Sequence, residues 1–286
     1  MDELKKMDSI EKTLHYKTGA INIGDNIATI AVPKGFTFLE SSGAKYVLED
    51  LWGNQKGQSP LGLLFPEGST ASNPADYVFV VEYEPMGYVK DDDADKINYD
   101  DLLKELRESQ AKANIDRKSA GLLTMDMLGW AAKPYYDKER KLLYWAKEYK
   151  VEGDEAHTLN YDIRILGRKG VLILQAVSSM AALDSVNKNV NTVLSMVSFT
   201  EGNKYSDYNS KTDAVAAWTI GGLVAGKVLA KVGFFAVILK FLKFIILGVV
   251  AIGGGIWRFI TGRRKKEEEF VYQPQPAPVD NPSEPQ

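Results

Sequence analysis

The acidic stretch DDDAD is the first place in this sequence where residue type and spacing could do chemistry. It sets Asp91, Asp93 and Asp95 at alternate positions, as a calcium-binding loop does. The sixth position is Lys96, where an EF-hand requires glycine, and the twelfth is Leu102, where it requires glutamate. We therefore predict no metal site and interpret the stretch as a solvated loop that supplies negative charge to the following helix. A calcium site on the three aspartates is the alternative.

A second set of carboxylates lies on or beside one predicted strand. Glu82 and Glu84 share a strand face, and Asp76 lies just before them. A glycosidase-like pair would need a cleft and one carboxyl group with a raised pKa, and the sequence shows neither. A solvent-exposed face is the simpler interpretation.

Five aromatic residues cluster in the next strands and could line a groove for a ligand or glycan: Trp130, Tyr135, Tyr136, Tyr144 and Trp145. Cross-strand pairs that fill a face of a sheet are the more ordinary use of such residues.

Composition removes most other chemistries. The chain has no cysteine and only two histidines, His15 and His157, which excludes thiolate nucleophiles, disulfides and most zinc sites. We expect no cofactor and no enzyme. A hydrolase of envelope material, using carboxylates near an aromatic groove, is the alternative.

Alternating and helical patterns predict the elements that position these residues. Strands are expected at residues 26–32, 76–84, 127–135, 142–151, 158–166 and 171–178, with a tight hairpin at LGRKGVL. A first helix is expected at residues 44–52, with Ser41 or Ser42 as cap, and Tyr46, Val47, Leu51 and Trp52 would share one of its faces. Further helices are expected at 99–114, with Asn98 as cap, and at 181–198. Short connections favour antiparallel pairing, so the fold class is α+β: an antiparallel sheet with packed helices.

Charge divides the chain into an acidic body and a basic apolar segment. Residues 214–266 contain nine basic residues and no acidic one, whereas the whole chain carries a net charge of −3. Phosphate binding requires a cationic folded face, so we expect no nucleic-acid partner.

The basic segment contains a predicted membrane anchor at residues 232–262. Phe244 and Trp257 bound its longest charge-free apolar run, and Lys240 and Lys243 lie near one end, where long side chains can reach the interface. The denser basic cluster at the other end should be cytoplasmic: Arg263, Arg264, Lys265 and Lys266. This orientation places the folded domain outside the cytoplasm. Export of the domain requires a signal peptide. The start of the sequence contains no apolar signal-peptide core, so we expect that the signal peptide was present in a precursor and was removed.

Residues 214–231 form either a small-residue amphipathic helix at the interface or a second span, which would put the domain in the cytosol. Gly222 and Gly226 stand at GxxxG spacing, and Gly253, Gly254 and Gly255 add small residues for close helix approach. The predicted partners are the lipid bilayer and either a second copy of the chain or another membrane protein.

Several long segments are distinctive, among them GDNIATIAVPKGFTFL, EYEPMGYVKDDDADKINYDDLLKELR and KTDAVAAWTIGGLVAGKVLAK. Together these segments resemble one bacterial family, domain of unknown function 2167, whose members are described as membrane-anchored proteins. The resemblance implies a signal peptide in the precursor, an extracytoplasmic domain and a C-terminal membrane anchor, and it supplies no catalytic residue. The order of elements is also similar to the PsbP and Mog1 type of α+β sandwich, which is a likeness of fold alone.

These observations predict five regions. The extracytoplasmic α+β domain covers residues 1–200, a polar linker 201–213, the small-residue helix 214–231, the anchor 232–262, and a basic cluster with a disordered, acidic, proline-rich tail 263–286. We expect a binding or assembly module of the bacterial cell membrane, in envelope maintenance or stress. A homo-oligomeric membrane assembly is a further alternative.

Overall fold

The fold is built on a large antiparallel sheet, as seen in a computed structural model that describes residues 10–54, 56–73 and 77–226. Eight strands pair in the order β1-β4-β5-β6-β11-β10-β9-β8. Their bounds are β1 Tyr16–Lys17, β4 Phe36–Glu40, β5 Gly62–Pro66, β6 Phe79–Glu84, β8 Met125–Asp137, β9 Leu142–Val151, β10 Thr158–Leu166 and β11 Val171–Ser179. Every pair in this sheet is antiparallel.

One face of the sheet, called the inner face here, is covered along its length. A three-stranded sheet in the order β12-β3-β2 lies over it, with β2 at Gly19–Ile23, β3 at Ala28–Val32 and β12 at Val197–Phe199. The helix Leu183–Met196 packs beside these strands through Val186, Val190 and Val193. This apolar stripe recurs at helical spacing, which is why the segment is a helix that buries one side.

The opposite, outer face is covered only at its two ends. At one end the helix α1, Ser41–Tyr46, and a π-helical turn at Val47–Leu51 pack on β4 and β5. At the other end, α2, Tyr99–Ser119, and the later helix α4, Ile220–Ala225, pack over β9, β10 and β11. A short parallel pair, β7 Tyr88–Lys90 with β13 Val215–Thr219, packs with this second group of helices. The helix Leu183–Met196 on the inner face is α3.

The predicted mixed α/β class with a large antiparallel sheet is confirmed. The hairpin at Gly167 and Gly170 joins β10 to β11, and the amide of Gly167 donates to the Gly170 carbonyl at 2.8 Å. Asn98 caps α2, since its side chain accepts from the amides of Asp100 and Asp101 at 3.0 and 3.3 Å.

The first helix differs from its prediction. Its N-cap is Glu40 rather than a serine, without a side-chain cap, and its last residues wind into the π-helical turn. Tyr46 is 38% exposed, while Ala44, Val47 and Leu48 are buried against the sheet. The buried residues are three and four positions apart, as on one face of a helix, and Tyr46 falls outside that stripe.

Residues 201–213, predicted to be a polar linker, pack on the domain instead. A helical turn at Tyr205–Asp207 brings Tyr205 against Tyr88, with ring centroids 4.4 Å apart, and Tyr208 stacks on the same ring at 3.8 Å. The Arg168 guanidinium holds Asp213 through two hydrogen bonds of 2.7 and 3.0 Å. Polar and aromatic contacts fix this segment, and helical or strand periodicity does not reveal such contacts.

Residues 214–226 also differ from the predicted helix. Val215–Thr219 is the strand β13, and only Ile220–Ala225 is helical. Gly222 is buried within the domain, and Gly226 ends α4 at φ +68°. The two glycines therefore do not form a membrane-helix packing surface, because the helix stops before one face could carry both.

No helix within residues 10–54, 56–73 and 77–226 is long and apolar enough to cross a membrane. The predicted anchor, its flanking lysines and arginines, Gly253 to Gly255 and the acidic tail lie outside these residues.

Candidate functional site

A cleft of about 660 Å³ lies on the outer face of the sheet, between its two covered ends. Its floor is formed by the outward side chains of β6 and β11, because residues paired across neighbouring strands share a face. Val80 pairs with Gln175, and Val177 follows two positions later on the same face. Val177 is 62% exposed, so the apolar floor is open to solvent.

One wall of the cleft is the end of the π-helical turn and the loop after it. Trp52 and Leu48 form its apolar part, and Asn54 and Gln58 add amides. The Trp52 indole donates to the Ala71 carbonyl at 3.0 Å. This contact fixes the aromatic ring at the cleft edge, with its polar atom already satisfied.

A carboxylate of the π-helical turn helps to hold the loop itself. Glu49 Oε1 accepts from the amides of Gly57 and Gln58 at 2.8 and 2.9 Å. The polar rim of the cleft is thus fixed before any ligand arrives, which lowers the entropy cost of binding.

A row of polar residues continues from the cleft floor toward the α2 end of the sheet. Gln175 pairs with Asp162 on β10, and Asp162 pairs with Trp145 on β9, so the three share the outer face. Asp162 is only 4% exposed and accepts from Arg164 Nη2 at 2.8 Å. Two positions after Trp145, on the same face of β9, Lys147 Nζ donates to the Val224 carbonyl of α4 at 3.3 Å.

Burial dominates the electrostatics of this row. It raises the pKa of Asp162, against the opposing effects of Arg164 and Lys147, and it lowers the pKa of Lys147. Among the described residues, three buried atoms of the row make no hydrogen bond: Trp145 Nε1, Asn160 Oδ1 and Arg164 Nη1. The row is therefore a buried charged cluster, and part of its hydrogen-bonding capacity is unused.

Asp91 does not face a cation site. Its carboxylate accepts from Tyr136 Oη and Lys141 Nζ, both at 2.8 Å, and from Tyr205 Oη at 3.2 Å. Burial acts to raise the pKa of Asp91, but these hydrogen bonds outweigh it and the pKa is lowered. Burial, together with the Asp91 carboxylate, raises the pKa of Tyr136 and of Tyr205.

The other two aspartates point to separate partners. Asp93 accepts from the amides of Ile220 and Gly221, both at 3.1 Å, and so caps α4, while Asp95 pairs with Lys138 at 3.2 Å. The loop is thus structural rather than a calcium loop. Nowhere in the described part of the chain do three or more His, Cys, Asp or Glu side chains form a group that could hold a metal ion.

The remaining predicted carboxylates do not converge. Glu82 lines the cleft and Glu84 is exposed beyond it, while Asp76 lies outside the described residues. Glu82 is the one acidic residue among the described residues that line the cleft.

The five aromatic residues divide between the two faces of the sheet and line no common groove. Tyr135 pairs with Tyr144 across the strands, with ring centroids 5.6 Å apart. Trp130, Tyr136 and Trp145 lie on the outer face, in the core beneath α2.

Sequence reasoning missed both the cleft and the polar row. The row did leave a signal, since Asn160, Asp162 and Arg164 alternate through an otherwise apolar strand. The cleft left none, because it depends on which parts of the outer face the distant helices cover.

Comparison with known proteins relates the chain to solved structures and to a family. The solution structure of cyanobacterial PsbP (CyanoP) from Synechocystis sp. PCC 6803 is similar over 63% of this chain and 91% of that chain, at 14% identity and a TM-score of 0.35. No curated protein matches. A family model described as "Protein of unknown function (DUF2167)" matches residues 15–253.

Proposed function

The chain belongs to the DUF2167 family of proteins of unknown function, and we propose that it is a membrane-anchored, extracytoplasmic binding or assembly module. Its ligand site in this proposal is the cleft on the outer face of the sheet. The single observation that supports the binding role is the open apolar floor between two covered ends of that face. Pockets of this size with an apolar lining and a few polar groups are where proteins bind ligands.

The cleft favours binding over hydrolysis. Both glycosidase geometries need two carboxyl groups across the scissile bond, and Glu82 alone lines the cleft within the described residues. The second acid of the neighbourhood, Asp162, is buried beside Arg164 and is engaged by it.

The membrane part of the proposal rests on the sequence. Residues 232–262 would form the anchor, with Arg263 to Lys266 in the cytoplasm and the folded domain outside it. In this proposal the domain has a PsbP/Mog1-like sandwich arrangement. The protein acts in envelope maintenance or stress, and its partners are the bilayer and a second copy or another membrane protein.

Protease accessibility tests the location. Cells that express the protein from its own gene are fractionated, the membranes are washed with carbonate, and protease is applied after the outer envelope is permeabilised. We expect the chain to stay with the membranes and the domain to be digested from outside. A domain that is protected until the inner membrane is opened would overturn the orientation.

Methyl NMR tests the binding role. The full chain is labelled at valine methyl groups and mixed with a bacterial envelope extract. We expect the signals of Val80 and Val177 to shift, and the Val80 shift to disappear in Val177→Phe, which fills the cleft. Val215→Phe is the matched control, since Val215 is also exposed, at 46%, but lies on β13. Signals that are unchanged by the extract would overturn the binding role.

A further inference from the structure

The lining of the cleft has a definite chemical character. Its apolar residues form the floor and one wall, and its polar residues are three amides and one carboxylate: Asn54, Gln58, Gln175 and Glu82. Side-chain amides offer donors and acceptors together, which is the pattern that a peptide backbone presents in return. No basic residue is found among the described residues of the lining.

Glu82 gives the cleft its electrostatic preference. It lies on β6 opposite Ile173 and forms no ion pair with any described residue. The carboxylate is half-buried, so water screens it less than a fully exposed acid. A cationic group brought to it would gain a charge-assisted hydrogen bond, and an anionic group would be repelled.

From this arrangement we infer that the cleft binds an extended peptide segment in which two apolar side chains and then a basic one stand at alternate positions, so that all three face the floor. The apolar side chains lie on Val80 and Val177, the backbone is bound by the amides, and the ammonium or guanidinium group pairs with Glu82. This inference rests on the proposed binding role of the cleft and names its ligand class.

Three pentapeptides that differ only in their last residue test the inference: acetyl-Leu-Ser-Leu-Ser-Lys-amide, acetyl-Leu-Ser-Leu-Ser-Gln-amide and acetyl-Leu-Ser-Leu-Ser-Glu-amide. Each is titrated into the full chain, and the valine methyl signals are followed. We expect the lysine peptide to bind about fivefold more tightly than the glutamine peptide, which corresponds to roughly 1 kcal/mol for a partly exposed ion pair. The glutamate peptide should bind most weakly.

Glu82→Gln separates charge from shape. It should make the lysine and glutamine peptides bind equally, and leave the glutamine peptide's affinity as it was. Unshifted methyl signals of Val186 and Val193, which lie in the core below the inner face, show that the variant is folded.

The outcomes distinguish the ligand class from the binding role itself. If all three peptides bind equally and Glu82→Gln changes nothing, the ligand class is overturned while the cleft stays a binding site. If no peptide shifts the Val80 or Val177 signals, both the ligand class and the binding role of the cleft are overturned. The same holds if the peptides still shift the Val80 signal in Val177→Phe.

Discussion

Replacing Asp91 with asparagine should destabilise the domain by about 2 to 3 kcal/mol, because one carboxylate joins three separate segments. Tyr136 from β8, Lys141 from the turn after it and Tyr205 from the C-terminal segment all donate to this group. A hydrogen bond of this kind contributes roughly 1 kcal/mol net, and the asparagine amide keeps a single acceptor oxygen for three donors. The side chain of Lys141 is only 27% exposed and would lose its counterion.

Urea-induced unfolding of the full chain measures this loss, and Asp95→Asn is the matched control from the same loop. Asp95 is 82% exposed and its pair with Lys138 is a surface ion pair, so its replacement should change the free energy of unfolding by less than about 1 kcal/mol. Equal effects of the two substitutions, or a loss below about 0.5 kcal/mol for Asp91→Asn, would refute the reasoning.

The pH dependence of the difference adds an independent check. Because the folded pKa of Asp91 is lowered, its contribution is complete above the unfolded value of about 3.9 and is lost as pH falls through the folded pKa. The stability gap between the natural chain and Asp91→Asn should therefore be constant above about pH 5 and shrink below about pH 4. A gap that grows on acidification would contradict the assignment.

Three further predictions concern other parts of the fold. Gly87→Ala should lower the free energy of unfolding, measured in urea, by about 1 kcal/mol more than Gly153→Ala does, although the two φ angles are +92° and +88°. The reason is that only at 87 would the new Cβ meet a backbone oxygen, that of Ala214 at 2.9 Å. Asp162→Ala should cost roughly 3 kcal/mol in urea unfolding, since it leaves buried cations without their partner, and a loss below about 1 kcal/mol would contradict this. Asp213→Asn should speed tryptic cleavage within residues 201–213, read by mass spectrometry, and an unchanged rate would show that the ion pair does not hold the segment.

The candidate site shows where prediction from sequence reached its limit. Glu82 was correctly placed on a strand, and its neighbours in the cleft, such as Gln175 and Trp52, come from segments far apart in the chain. The acidic loop was interpreted as solvated, which is wrong for Asp91, whose side chain is 19% exposed. Only the positions of Tyr136, Lys141 and Tyr205 decide that burial.

The sequence by itself determined what depends on local pattern. Alternation specified the strands from β8 to β11, Asn98 specified the start of α2, and valine spacing specified the buried side of α3. Only the tertiary structure decided that residues 201–226 pack on the domain and that the cleft exists. Thr219 caps α4 locally by accepting from the amide of Gly222, but the amides of Ile220 and Gly221 donate to Asp93, which lies 127 positions before Ile220, and the pattern of either segment contains no trace of the other. The cleft likewise exists because two distant groups of helices cover the ends of one sheet face and leave its middle open.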